Sequence, residues 1–125
     1  MRTITIGEII TDLDKTIPLR WQESYDNAGL LCGNKEEKCT GIYVCFDISE
    51  SVVEKTIANN CNLIVSHHPL VFRAMKRFTS KDNVTTTLLK AITNNIALYS
   101  AHTNLDAANP GVNTILANKL GIRNI

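Results

Sequence analysis

Three short apolar runs alternate with amphipathic helical segments along most of the chain, and this alternation constrains the fold more than any other feature. The runs cover residues 42–46, 63–65 and 96–101. Strands that alternate with helices of about 10–15 residues form parallel β-α-β units with right-handed crossovers. Because the runs are almost continuously apolar, we expect helices on both faces of the sheet. The pattern predicts an α/β fold, a layered sandwich with a largely parallel sheet flanked by helices.

The chain is predicted to begin with a capped helix. Thr5 and Glu8 have the spacing of a capping box, in which the side chain of each residue binds the backbone N–H of the other. Apolar residues then recur on one helical face until Pro18 ends the pattern. That face consists of Ile6, Ile9, Ile10, Leu13 and Ile17. A short apolar segment, residues 29–33, lies between this helix and the first run.

Three further helices are predicted, over residues 49–60, over residues 85–94 and close to the end of the sequence. Asp47 and Glu50 are candidates to cap the first of these three helices. Gly121 is well placed as the C′ residue of the last one. The apolar residues of that last helix are Val112, Ile115, Leu116 and Leu120.

The composition is that of a globular protein. Of the 125 residues, 44% are hydrophobic and 20% are charged, which suits one ordinary core and is too little for two. We therefore expect residues 1–125 to form a single α/β domain. The formal net charge is +1, and no long stripe of Lys and Arg indicates a nucleic-acid partner. The local basic cluster Arg73, Lys76, Arg77 and Lys81 fits a solvated loop better than a phosphate-binding loop.

The sequence predicts a cytoplasmic protein with no membrane partner. Its first residues lack the apolar stretch of a signal peptide, and no run approaches the length of a membrane span. The four cysteines, Cys32, Cys39, Cys45 and Cys61, form no C-x-x-C pair. We interpret Cys45 and Cys61, which lie inside or just before predicted strands, as small core residues kept reduced.

All three histidines of the sequence stand directly after predicted strands, and an aspartate follows close behind. His67 and His68 follow one strand, His102 follows another, and Asp106 is four residues further on. In open parallel sheets, ligands bind in the crevice beyond the carboxyl ends of the strands. Three imidazoles and a carboxylate in that crevice are suitable donors for zinc, iron, manganese or nickel. The sequence therefore predicts a metal site.

Two adjacent histidines raise a geometric problem at such a site. Consecutive side chains of an extended segment point to opposite faces, and Pro69 holds His68 extended. We therefore expect either that His67 and His68 serve different ions of a pair or that one supports the other. Two ions about 3.5–4 Å apart, bridged by a carboxylate such as Asp106, can activate a water. His102 and Asp106 share the site only if the chain turns between them.

Three motifs, in order, resemble those of a known family. They are residues 24–30 (SYDNAGL), 64–72 (IVSHHPLVF) and 101–108 (AHTNLDAA), the last followed by residues 111–113 (GVN). The chain resembles the GTP cyclohydrolase I type 2-like proteins, described as dinuclear-metal-centre, hexamer-forming proteins. The resemblance implies that the metal ligands are His67, His68, His102 and Asp106, with Asp106 bridging. Asp47 either lies close to these ligands or only caps a helix.

The resemblance also implies a function. It suggests a hydrolase whose metal-activated water attacks a small molecule, with the guanine ring of GTP as one candidate, in a homo-oligomer of six chains. Family members are longer, and their last two ligands, a histidine and a glutamate, lie in a C-terminal segment with no counterpart here. We therefore expect this sequence to correspond to the N-terminal part of that architecture and to hold, of up to two ions, one ion weakly through a subset of the four ligands. A non-catalytic regulatory or structural subunit is the alternative.

Overall fold

The structure is a computed structural model that describes residues 3–123. Within these residues, four strands form one sheet: β1 (Gly29–Cys32), β2 (Ile42–Cys45), β3 (Leu63–Ser66) and β4 (Ala97–Ser100). Their spatial order is β1-β4-β3-β2. β2, β3 and β4 run parallel, whereas β1 pairs with β4 in the antiparallel sense. The predicted α/β class and largely parallel sheet are confirmed, and the apolar segment at residues 29–33 supplies the antiparallel edge strand.

Five α-helices surround this sheet in the described part of the chain. They are α1 (Ile6–Thr16), α2 (Glu50–Ala58), α3 (Asn83–Thr93), α4 (Thr103–Asp106) and α5 (Val112–Lys119). A short 3₁₀ helix, Leu19–Trp21, follows α1. The helices predicted over residues 49–60 and 85–94 are α2 and α3. α2 ends two residues earlier than predicted, and α3 begins two residues earlier than predicted.

The helix caps agree with the sequence at α1 and differ at α2. The Thr5 N–H donates to Glu8 Oε2 over 2.9 Å, and the Glu8 N–H donates to Thr5 Oγ1 over 3.2 Å, so the predicted capping box is present. The prediction that Asp47 or Glu50 caps α2 is wrong. Ser49 takes that position, because its hydroxyl accepts the N–H of the third helical residue. Gly121 has φ +71° just after the last helix, as expected for its C′ residue.

Two apolar cores lie on opposite faces of the sheet. Alternate strand residues face opposite sides, so Leu63 and Tyr99 pack under α1, while Ile64 and Leu98 pack under α2 and α3. The α1 side also buries Ile6, Ile10, Ile17, Ala97, Ala101 and Ala108. The opposite side also buries Ile48, Val53, Val71, Leu88, Ala91 and Ile96. Coverage of both faces by helices, predicted from the apolar strands, is therefore observed.

Some apolar side chains lie outside both cores. Ile42 and Val44 point to the same face of edge strand β2 and are exposed, Val44 to 73%, and Phe46, directly after the strand, is exposed as well. The apolar residues assigned to the last helix, Val112, Ile115, Leu116 and Leu120, are exposed as well, and α5 buries only Ala117. Helical spacing alone could not indicate that this stripe faces away from the sheet.

The remaining compositional expectations have simple structural outcomes. None of the helices within residues 3–123 has the length and apolar character needed to cross a membrane. Cys32, Cys39, Cys45 and Cys61 are all free thiols. Burial raises the pKa of the Cys32, Cys39 and Cys45 thiols, which favours their protonated form at neutral pH. The basic side chains of residues 73–81 are exposed, as expected of a solvated loop.

Tyr99 generates a prediction about stability. Its side chain is fully buried, and its hydroxyl has no hydrogen-bond partner within residues 3–123. Tyr99→Phe removes the unpaired polar group and keeps the ring. We therefore expect its free energy of unfolding, measured by urea denaturation, to be about 1 kcal/mol higher than that of the wild type. Tyr43→Phe, at a half-buried position, is the matched control and should change stability by less than about 0.5 kcal/mol.

The same substitution has a predictable pH dependence. Burial raises the pKa of Tyr99, and the charge of Asp14 adds to this effect. A raised pKa in the folded state means that the unfolded chain loses this proton first, so the wild type loses stability as pH rises above about 10. The advantage of Tyr99→Phe should therefore widen above pH 10. An advantage that stays constant from pH 7 to pH 11 would contradict the assignment.

Candidate metal centre

The carboxyl ends of β3 and β4 lie side by side, which brings the segments after them together. Ser66 is the register partner of Ser100 at the last position of both strands. Both side chains are buried, and their hydroxyl oxygens lie 3.0 Å apart. The Ser66 hydroxyl also donates to the His68 carbonyl over 2.8 Å, which folds the chain just past β3. Ser66 therefore shapes the backbone at the site.

The three histidines form one cluster at this edge. The ring centres of His67 and His68 are 5.1 Å apart, and those of His102 lie 5.2 and 5.5 Å from them. One ring nitrogen of each lies within 4.8 Å of the others. The expectation that the adjacent histidines diverge is wrong, because strand geometry ends at Ser66. Residues 67 and 68 form a bend, in which alternation of side chains no longer applies.

His67 and His68 each use Nδ1 to bind an oxygen. His67 Nδ1 lies 2.9 Å from the Ala101 carbonyl, and His68 Nδ1 lies 2.7 Å from Asp47 Oδ1. A carbonyl or an ionised carboxylate only accepts hydrogen bonds, so both Nδ1 atoms donate. The lone pair of each neutral ring is then on Nε2. Asp47 is thus a partner of a site histidine, which resolves the two alternatives left open by its position in the sequence.

The partner of His102 is a fully buried carboxylate. Its Nδ1 lies 2.8 Å from Asp26 Oδ1, and the side chain of Asp26 is 0% exposed. The Thr103 N–H and hydroxyl both donate to Asp26 Oδ2, and the Asn27 N–H donates to Oδ1. Burial acts to raise the pKa of Asp26, but the hydrogen bonds from His102, Thr103 and Asn27 outweigh it and lower that pKa. Asp26 therefore stays ionised at neutral pH.

Helix α4 returns Asp106 to the cluster. The Asp106 N–H donates to the His102 carbonyl over 3.1 Å, closing one helical turn, and Asp106 Oδ1 lies 3.6 Å from His67 Nε2. The turn required between His102 and Asp106 is therefore present. Asn104 fixes it, because its buried side chain accepts the His102 N–H and donates to the Ile17 carbonyl.

A sequence model of the Duf34/NIF3 (NGG1p interacting factor 3) family matches residues 4–125. The chain belongs to the DUF34/NIF3 family. Among curated relatives, a "GTP cyclohydrolase 1 type 2 homolog" of Staphylococcus epidermidis is 42% identical over 120 residues, which are 96% of this chain and 32% of that protein. A Clostridium acetobutylicum protein of the same description is 33% identical over 95% of this chain and 44% of its own length. The resemblance drawn from three motifs is confirmed.

Solved structures give the same result for the fold. A Staphylococcus aureus protein superimposes with a TM-score of 0.91 at 36% identity, over 97% of this chain and 34% of that one. A Bacillus cereus protein related to NIF3 gives 0.93 at 33% identity, over 99% and 34%. Reduced HcgD from Methanocaldococcus jannaschii gives 0.88 at 30% identity, over 99% and 50%. This DUF34/NIF3 chain thus spans about a third to a half of the proteins it matches.

The segment at residues 22–28 of this DUF34/NIF3 chain ties the two histidine loops together, a role that its residues did not reveal in the sequence. The Asn27 side chain donates to the Val71 carbonyl over 2.6 Å, and the Glu23 N–H donates to Thr103 Oγ1 over 3.0 Å. Asp26 binds its partner His102 from 76 positions away. No local pattern links such distant residues, so only the family motif marked this segment.

Aromatic rings flank the cluster on two sides. Phe46 stacks on His67 with ring centres 5.3 Å apart and meets His68 edge-on at 4.4 Å. On the other side, Phe72 lies 6.2 Å from the His102 ring and meets the exposed Tyr25 at 6.5 Å. The neighbouring apolar residues Leu30, Leu31 and Val71 pack in or against the two cores.

The donor chemistry of the cluster fits the metals expected from the sequence. Three neutral imidazoles, each with a lone pair on Nε2, and one carboxylate form a nitrogen and oxygen set without thiolate, which suits zinc, iron, manganese or nickel. Within residues 3–123, no second group of three or more His, Cys, Asp or Glu side chains is close enough to share an ion.

Asn104 provides a test of how the site is held. Asn104→Ala leaves the His102 N–H and the Ile17 carbonyl without their buried partner, so we expect a loss of about 1–3 kcal/mol in the free energy of unfolding. Asn118→Ala, at an exposed position of α5, is the matched control and should stay within about 0.5 kcal/mol of the wild type. Chemical denaturation of both variants measures the difference. Equal losses would contradict the assigned role.

Proposed function

We propose that this chain binds a divalent metal ion through His67, His68, His102 and Asp106 and forms part of a metal-dependent hydrolase. The observation that supports it most is that all three Nδ1 atoms bind oxygen acceptors, which leaves Nε2 of each clustered ring for an ion. Metal-ligating histidines generally have such an acceptor on their other nitrogen. Zinc, iron, manganese and nickel all suit this donor set.

The proposed stoichiometry is one ion for these four donors, out of the two ions of a dinuclear centre. Asp106 is 3.6 Å from His67 Nε2 and its side chain is 36% exposed, so a carboxylate oxygen remains available to a second ion. We further propose that residues 1–125 form a single domain equivalent to the N-terminal part of the longer relatives. That this chain shares an activity with those longer relatives is likewise part of the proposal.

The chemistry proposed is attack by an activated water on a small substrate. A bound divalent ion supplies Lewis acidity and lowers the pKa of a water molecule to about 7. The chain itself orients the imidazoles through Asp26, Asp47 and the Ala101 carbonyl, and it presents exposed Phe46 and Phe72 beside them. Flat aromatic surfaces suit a planar heterocycle. A nucleotide such as GTP, which appears in the description of the curated relatives, is therefore the substrate to test first.

Self-association and location complete the proposal. We propose a homo-oligomer, a hexamer by the resemblance, located in the cytoplasm. The exposed apolar side chains Ile42 and Val44 on edge strand β2 support a protein interface. The four free thiols support a reducing compartment.

Metal uptake tests the site directly. After incubation with Zn²⁺ and extensive dialysis, we expect about one equivalent of zinc per wild-type chain by elemental analysis. His67→Ala, His102→Ala and Asp106→Ala each remove a proposed donor and should retain well under half of that. Asp12→Ala removes an exposed carboxylate of α1 and is the matched control for Asp106→Ala. A wild-type protein without stoichiometric metal would contradict the proposal.

Turnover separates a hydrolase from a non-catalytic metal-binding subunit. Incubation of GTP with the metal-loaded protein should release a hydrolysis product such as formate. Metal-free protein and Asp106→Ala should lose at least 10-fold of that rate, because the ligand set is incomplete. Full metal occupancy without any turnover of nucleotides would favour the regulatory or structural alternative.

A further inference from the structure

We propose that Asp26 is a positioning residue that fixes the neutral His102 ring in its Nδ1–H form and so selects Nε2 as the atom offered to the ion. In calling His102 a ligand, this inference rests on the proposed function. The preference for one ring form, however, follows from contacts within the chain and exists without a metal. Asp26 belongs to the segment of residues 22–28, outside the four proposed ligands.

The hydrogen bonds of Asp26 leave it a single role toward His102. Oδ1 accepts from His102 Nδ1 at 2.8 Å and from the Asn27 N–H at 2.7 Å, while Oδ2 accepts the Thr103 N–H at 3.0 Å and the Thr103 hydroxyl. Each oxygen thus serves two donors. An imidazole protonated only at Nε2 would direct its Nδ1 lone pair at an ionised oxygen, and the two negative regions would repel each other.

Burial distinguishes this contact from the corresponding one at His68. The Asp26 side chain is 0% exposed and that of His102 is 19% exposed, whereas Asp47 and His68 are 70% and 44% exposed. Water therefore competes for Asp47, and the energy of an exposed pair is small. In the buried pair, a lost acceptor is not replaced by solvent. We expect Asp26 to control its histidine strongly and Asp47 only weakly.

The substitution Asp26→Asn should reverse the direction of the hydrogen bond between residue 26 and His102 Nδ1, with little change in the shape of the side chain. An amide has one acceptor oxygen, and the part-buried Thr103 N–H requires it, whereas the N–H of exposed Asn27 can bind water. The amide NH₂ then faces His102 Nδ1 and donates to it. His102 must accept at Nδ1, so its proton moves to Nε2, the atom that the ion would need.

Long-range ¹H–¹⁵N correlation spectra of the metal-free protein test this directly. The sequence contains only three histidines, so at pH 8 three ring systems report protonation at Nδ1 or Nε2. We expect His102 to be Nδ1–H in the wild type and Nε2–H in Asp26→Asn. Thr103→Ala is the control, because it removes another partner of Asp26 and keeps the carboxylate, so His102 should remain Nδ1–H. A wild-type His102 protonated at Nε2, or an unchanged ring in Asp26→Asn, overturns the inference.

Titration with Zn²⁺ alone, followed by calorimetry, provides the second readout. Asp26→Asn should weaken binding by about 10–100-fold and Asp47→Asn by clearly less, with Asp12→Asn as an exposed control that binds like the wild type. If the wild type binds no zinc, the proposed function fails, and the spectra still decide the inference about Asp26. If Asp26→Asn does not fold, the wild-type ring form decides it. Equal weakening by Asp26→Asn and Asp47→Asn would contradict the argument from burial.

Discussion

The parallel register of β2, β3 and β4 is the constraint on which the rest of the molecule depends. Cys45, Ser66 and Ser100 are aligned at the ends of the three strands, so the segments that follow start at the same level. Those segments carry Asp47, the histidine pair and His102. A slip of one residue would turn every side chain of a strand to the other face and separate these groups. The buried contact between the Ser66 and Ser100 hydroxyls helps to hold the register at the position where it matters.

The antiparallel strand β1 completes the site from the other side. Gly29 pairs with Ser100, which places Asp26, three residues before β1, beside His102, two residues after β4. Gly29 has φ +105°, and a Cβ there would lie 3.1 Å from the Leu19 side chain, so glycine permits this turn into the strand. One edge pairing thus joins residues that are far apart in the sequence.

The sequence predicts the parts of this structure that rest on local periodicity. The capping box at Thr5, the parallel strands and the placement of all three histidines beyond strand ends follow from residue spacing. It could not predict that His67 and His68 converge, because the bend after Ser66 depends on hydrogen bonds from their N–H groups to the residue 45 and 46 carbonyls. The position of Asp26 depends on the pairing of β1 with β4, and no short-range pattern encodes that pairing.

The arrangement of the cluster is also the one that the proposed metal site requires. In each ring, Nδ1 already donates to a fixed oxygen, so only the lone pair on Nε2 is left to bind another group. The three remaining lone pairs and the carboxylate of Asp106 lie close together, because one ring nitrogen of each histidine is within 4.8 Å of the others and Asp106 Oδ1 is 3.6 Å from His67 Nε2. The side chains that carry these acceptors are 14% exposed at His67, 44% at His68, 19% at His102 and 36% at Asp106, so water can donate to each of them and a divalent cation could bind several of them at once.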